Sequence, residues 1–343
     1  MLLSALQRRN QLRSLYGFDF PDDLFRFWTF ANRLRPLDPL TAFAETLGIR
    51  LVGPFEVLAG RFDDRSPRFS PLLHWRYSLD PPEFFTVFAG DSDKLHWGYY
   101  LDDPGCSTVS AGCGTVSRPC HNELCVASYY ASDAFELSVG GDDLFQAVRL
   151  EVEAQFHDCE EYLAEDPEHA ADYEARLARL EGLRRAVRSY ATADRPENGE
   201  RYVEKYQSAV ARAPAVIART PDGMGVVAPP ETYRPLSLSD KKLRSLLRKH
   251  DDPGEIVEEA RQALRDGFPA TALKLGKEMW PQYGERKTAY GYELLDAAYK
   301  ALGREVLGQV LHAHRENRNL PSVDVFFAAK RPTKDALSHF FAR

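Results

Sequence analysis

With 343 residues, 44% of them hydrophobic and 28% charged, the chain has the profile of a soluble globular protein with room for one large domain or two ordinary ones. A formal net charge of −7 argues against a broad grip on nucleic acid, which relies on clustered cations. No window approaches the roughly 20 apolar residues of a membrane span, so no membrane partner is expected.

The opening MLLSALQRRNQLRSLYGF has too short an apolar stretch for a signal peptide, and basic residues follow it closely. The expected compartment is the cytosol, or the nucleus if the source is a eukaryote. Arginines outnumber lysines 33 to 11, which points to a GC-rich, bacterial-type genome. The next run, FPDDLFRFWTFANRL, predicts a helix that starts at Pro21, has Asp22 and Asp23 in its first turn, and carries Phe25, Trp28 and Phe30 on its apolar face. A second short helix is predicted from Pro39 to Leu47, stopped by Gly48. IRLVG, EFFTVFAG, LHWGYYLD and CVASYY read as strands, rich in β-branched and aromatic residues and separated by Pro, Gly and Asp.

From Asp142 the pattern turns helical. DLFQAVRLEVEAQF repeats apolar residues at three- and four-residue spacing, and the charged stretch from about 158 to 212 continues as helix, broken at Pro167 and Pro196. PAVIARTPDGMGVVAP predicts a β-hairpin turning at Pro221, Asp222 and Gly223. Helices follow from about Ser239 to Arg315, including a basic, solvated helix face from Lys241 to Lys249. The final VDVFFAAKRPTKDALSHFFAR begins with a strand-like piece. The fold class expected is α+β: a mixed sheet-and-helix domain over 1–140, then a mainly helical domain with a small hairpin over 141–343.

Chemical motifs are sparse. Cys106, Cys113, Cys120 and Cys125, with His121, follow a C-x6-C-x6-C-x4-C pattern without the close pairs that zinc sites favour. They are either zinc ligands or scattered thiols of an ordinary loop. The odd total of five cysteines, with Cys159, argues against a disulfide framework. HDCEE at 157–161 reads as a solvated helix face, and His312 and His314 are two apart and cannot share one face. No nucleophile elbow, HExxH, P-loop or dinucleotide fingerprint is present, so nothing declares an autonomous enzyme.

The ordered blocks YGFDFPDDLFRFWTF (16–30), IRLVGPFEVLAGRF (49–62), HWRYSLDPPEFFTVFAGDSDKLHWGYYLDDP (74–104), GGDDLFQAVRLEV (140–152), GMGVVAPPETYRPL (223–236) and AAYKALGREVLGQVLHAHRENR (297–318) resemble the histone PARylation factor family. The resemblance implies an accessory factor that binds the catalytic domain of a poly(ADP-ribose) polymerase-like ADP-ribosyltransferase and completes a joint active site directing ADP-ribose onto serine of an acceptor protein. NAD is then held by the transferase, with no cofactor on this chain. The resemblance further implies a supporting arginine in a Tyr-Arg pair after the hairpin, here Tyr233-Arg234, and a catalytic carboxylate upstream of a Leu-x-Leu-Gly step, here Leu273 to Gly276. Counting back from Gly276 puts that place on Asp266, a methylene shorter than the family's glutamate, preceded by Arg265 where the family has an acid. Arg265 is then expected to lower the Asp266 pKa and hold it ionised, while Asp-Gly at 266–267 also reads as an ordinary turn between helices. The Phe-Pro-Asp-Asp-Leu run and HWGYYLDDP are similar, too, to the SUKH superfamily of bacterial immunity proteins, which implies as an alternative a protein-binding module without chemistry.

Overall fold

The computed structural model describes residues 3–92, 94–104, 124–132, 135–190, 198–202, 212–249, 252–281 and 285–327. Helix α1 (Ala5–Tyr16) opens with a capping box between Ser4 and Gln7 and closes at Gly17. Its sequence gives little warning of it, because Leu12 and Tyr16 share the buried face with Arg8, whose guanidinium pairs with Asp63 at 2.6 Å. Helix α2 (Asp22–Leu34) begins after Pro21 as expected, but its buried positions are Leu24, Phe27, Phe30 and Ala31. Phe25 and Trp28 lie at its margin, Phe25 beneath the Arg9 guanidinium at 3.8 Å. The face is rotated because Phe27 occupies the centre of a ring cluster made by Phe30, Phe43, Phe55, Phe88 and Phe145.

The helix expected over Pro39–Leu47 forms in two pieces. A 3-10 turn at Pro39–Thr41 and α3 (Ala44–Leu47) are divided where Phe43 bridges to Ile49. Strand β1 (Ile49–Leu51) follows within the expected IRLVG strand, then α4 (Pro54–Leu58), a short helix starting on Pro54 directly after that run. Strands β2 (Phe84–Gly90), β3 (Leu95–Tyr100) and β4 (Cys125–Tyr130) match the three aromatic runs, and β5 (Ser138–Gly141) adds an edge. All five join in one antiparallel sheet in the order β1-β2-β3-β4-β5.

Both faces of this sheet are covered, which is why β2 shows little polar alternation. Helix α5 (Leu144–Glu165), capped by the Asp143 side chain, packs against β5, β4 and α2 and pairs with α6 (Ala170–Arg188). On the opposite face Phe84, Tyr100, Cys125, Ala127, Tyr129 and Leu137 enclose Met224 from the hairpin of β6 (Val216–Ala218) and β7 (Val226–Val227). Burial of Phe84, Leu137 and Met224 each stabilises the fold by roughly 1.5–3 kcal/mol.

Five helices complete the described chain: α7 (Asp240–Arg248), α8 (Gly254–Arg265), α9 (Pro269–Met279), α10 (Glu285–Leu302) and α11 (Glu305–Glu316). Helix α9 is buried along its whole length between neighbours. It approaches α10 closely because Gly276 has no Cβ; one placed there would lie 2.8 Å from Leu295 Cγ and 3.1 Å from the Leu295 backbone nitrogen. Polar side chains tie these helices to the sheet and hairpin. Lys277 donates to the Gly225 carbonyl at 2.6 Å and to the Tyr100 hydroxyl, Trp280 Nε1 to the Asp80 carbonyl at 3.0 Å, and Arg304 to the Val227 carbonyl at 2.7 Å. The strand-like VDVFF is a turn over 325–327 rather than a strand. Its carbonyls accept from Arg68 and Trp75 of the N-terminal half, and Phe326 packs on Phe62 and His74.

Candidate functional site

Tyr233 and Arg234 follow the hairpin and the 3-10 turn Pro230–Thr232, and lead into α7. Their backbone is fixed by Thr271, in the first turn of α9. The Arg234 N–H donates to Thr271 Oγ1 at 2.9 Å, and the Thr271 hydroxyl donates to the Arg234 carbonyl at 2.6 Å. Thr271 is itself buried, so this clasp belongs to the core while the arginine it holds reaches outward. Tyr233 packs partly into the core, where burial pushes its phenol pKa up, with Lys274 opposing and Asp240 and Glu278 adding to the rise.

Asp266 caps the C-terminal end of α8, where Gly267 takes φ +90° and turns the chain into α9. The helix macrodipole disfavours a carboxylate there. Arg234 compensates: its Nη2 lies 2.9 Å from Asp266 Oδ2, and its guanidinium carbon stands 4.8 Å from the centre of the Phe268 ring. Gln262, one helical turn back, donates to Asp266 Oδ1 at 2.7 Å. Both carboxylate oxygens are therefore engaged. The side chains are open to solvent, Arg234 at 42% and Asp266 at 37% relative exposure, so the pair faces outward on one shared surface. The bond from Arg234, then that from Gln262, holds the Asp266 carboxyl below the usual carboxylate range.

Arg265 adds to the lowering of the Asp266 pKa as expected, though less than Arg234 and Gln262 do. Its guanidinium turns back along α8, donating to Glu258 Oε1 at 2.8 Å and to Gln262 Oε1. The same Gln262 whose oxygen accepts from Arg265 donates its amide N–H to Asp266. Of this constellation, Gln262 was accessible from its four-residue spacing to Asp266. Thr271 and Phe268 carried no signal, since a Thr and a Phe at a helix start look like ordinary packing.

Cys106, Cys113, Cys120 and His121 lie outside the described residues. Cys125 is buried on β4, and burial pushes its thiol up to about 12. Among the described residues no group of three or more His, Cys, Asp or Glu side chains is arranged to hold a metal ion. Cys159 is buried, and His157 and Glu161 sit at the margin of α5, 3.6 Å apart. His312 reaches Asp296 at 2.8 Å on the surface, whereas His314 is buried against Trp280. No described helix is long and apolar enough to cross a membrane.

The comparisons with known proteins agree on one family. The family model described as Histone PARylation factor 1 matches residues 7–318. The chain belongs to the histone PARylation factor 1 family. Among curated members it is 28% identical to histone PARylation factor 1 of zebrafish (Danio rerio), over 93% of this chain and 88% of the relative. It is 27% identical to that of cow (Bos taurus), over 92% and 88%, and 25% identical to that of mouse (Mus musculus), over the same shares. The family match covers both the sheet and the helices, including Tyr233, Arg234 and Asp266.

Proposed function

We propose that this chain is an accessory factor of a poly(ADP-ribose) polymerase-like ADP-ribosyltransferase, and that it completes with its partner a joint site for modifying side chains of an acceptor protein, serine among them. Membership of the histone PARylation factor 1 family supports the reading. The observation that carries it is the outward-facing Arg234–Asp266 pair, whose backbone is held by the Thr271 clasp while its side chains stay 42% and 37% exposed. A group meant for a neighbouring molecule has to be positioned firmly and left accessible.

In this reading NAD rests on the transferase. The acceptor hydroxyl attacks the ribose carbon as nicotinamide leaves, and the hydroxyl proton passes to a base. Asp266 serves as that base once a docking partner draws Arg234 away from it, because release from the guanidinium that lowers its pKa raises its proton affinity. A second reading is favoured by the same geometry. With both oxygens engaged, Asp266 is the counter-ion that aims Arg234 at the partner.

The test is modification by the transferase from the same source, with NAD and an acceptor protein, using full-length chain. Yield and modified side chain are read by mass spectrometry. R234A is expected to lose most stimulation. D266N should lose about 10²–10⁴-fold if the carboxylate is the base, and much less if it only orients Arg234; D266E should restore it in the first case. Unchanged yield and site preference in both R234A and D266A would refute the proposal.

A further inference from the structure

The net-acidic chain carries one pronounced reversal of charge. Between Asp240 and Lys249 the sequence DKKLRSLLRK sets five cations against one carboxylate. Helix α7 sorts them by face. Leu243 and Leu247 are buried, while Lys241, Arg244, Ser245, Arg248 and Lys249 are exposed. Those exposed positions fall at i, i+3, i+4, i+7 and i+8, the spacing of a single helix stripe, and they line an open cleft of about 530 Å³. Two neighbouring acids, Asp240 and Glu278, form their ion pairs with Lys274, and Glu278 also feels the charge of Arg244. Among the described residues Lys241, Arg244, Arg248 and Lys249 form no ion pair.

Two arginines one helical turn apart with a serine hydroxyl between them, flanked by two lysines, form a set made only for anionic oxygens. Arginine forks bind phosphate in two-point contact, and lysine adds unspecific charge. Among the described residues that line the cleft there is no aromatic side chain on which a nucleobase could stack. The cleft therefore suits a ligand whose recognised part is phosphate rather than base. The N-terminal end of α7 is tied to the helix that holds Arg234. Asp240, at the head of α7, is bound by Lys274 at 3.0 Å, one turn along α9 from the Thr271 that clasps Arg234.

Resting on the accessory-factor reading, we infer that the cationic stripe of α7 binds the pyrophosphate groups of ADP-ribose chains, and so holds product attached to the acceptor beside the joint site. Each unit of such a chain presents two adjacent anionic phosphates. The Arg244–Ser245–Arg248 turn offers matching donors, and Lys241 and Lys249 extend the charge toward neighbouring units.

The experiment uses full-length chain without any transferase, so that its outcome is independent of stimulation. Fluorescence anisotropy compares a labelled ADP-ribose oligomer, a single-stranded DNA of equal phosphate number and an oligoglutamate of equal charge. The oligomer is expected to bind more tightly than either competitor. Each arginine lost, in R244A and R248A, should weaken it about tenfold or more, and R244K/R248K should recover only part of the affinity because the fork is missing. These side chains are exposed, and melting curves verify that each variant is folded. Absent binding, DNA or oligoglutamate bound as tightly as the oligomer, or unchanged affinity in R244A and R248A would each overturn the inference. Loss of stimulation in R234A with oligomer affinity intact would leave both proposals standing as separate properties.

Discussion

Replacing Thr271 by valine tests whether a buried hydroxyl sets the position of an exposed arginine. The side chain keeps its shape, but the two hydrogen bonds at 2.9 and 2.6 Å to the Arg234 backbone disappear. Each contributes about 0.5–1.5 kcal/mol net, so their loss removes roughly 1–3 kcal/mol. A methyl in place of the hydroxyl returns up to about 0.8 kcal/mol of apolar burial. T271V should therefore be destabilised by about 0.2–3 kcal/mol, measured as a lower urea midpoint at unchanged m-value. T271S keeps the hydroxyl and drops one buried methyl, about 0.8 kcal/mol. Stability alone separates these two variants poorly. Stimulation of the transferase separates them well: T271V should lose it and T271S should retain it, because only the first frees the segment that carries Arg234. A T271V protein with wild-type stability and full stimulation would refute the idea that this clasp positions the arginine.

Burial holds His314 neutral with its pKa well below the ordinary histidine value, and the charges of Arg76 and Arg318 add to the shift. The unfolded chain takes up a proton below about pH 6.5 and the folded chain does not, so stability falls by up to about 1.36 kcal/mol per pH unit below that point. H314L should flatten this part of the profile in urea titrations from pH 7.5 to 5, and an unaltered slope would count against it. Gly276→Ala should push α9 from α10, because the new methyl meets Leu295 at 2.8–3.1 Å; a loss of about 1–3 kcal/mol is expected in thermal or urea melts. Cys125 should resist alkylation by iodoacetamide at pH 8.5 in the native protein and react once unfolded in guanidinium, as peptide mapping would reveal.

Much of the architecture is legible in the sequence. The aromatic runs around Phe84, Trp97 and Val126 predicted β2, β3 and β4, because β-branched and aromatic residues bounded by Pro, Gly and Asp leave few other options. The Pro-Asp-Gly run likewise predicted the hairpin, where the buried Asp222 carboxylate accepts from the Met224 N–H at 3.1 Å. The misreadings share a cause. Helix α1 buries an arginine among its apolar residues, α2 rotates to place Phe27 rather than Phe25 inward, and the VDVFF segment gives its carbonyls to Arg68 and Trp75 as a turn. Each depends on a surface supplied by a distant part of the chain. At the site, Arg234, Asp266 and the neighbouring Arg265 are singled out through family resemblance, while Thr271, Gln262 and Phe268 are not.

By itself the sequence determined the α+β class, most element positions, the Asp-Gly turn and the family. Those follow from local sterics, from hydrophobic period and from ordered motifs, all of which are properties of neighbouring residues. Only the tertiary structure decided that Arg234 meets a carboxylate 32 residues away, that both of its oxygens are engaged, and that the pair faces solvent. That outcome depends on how the α8–α9 turn packs against the segment after the hairpin, and no local pattern encodes the meeting of two segments so far apart.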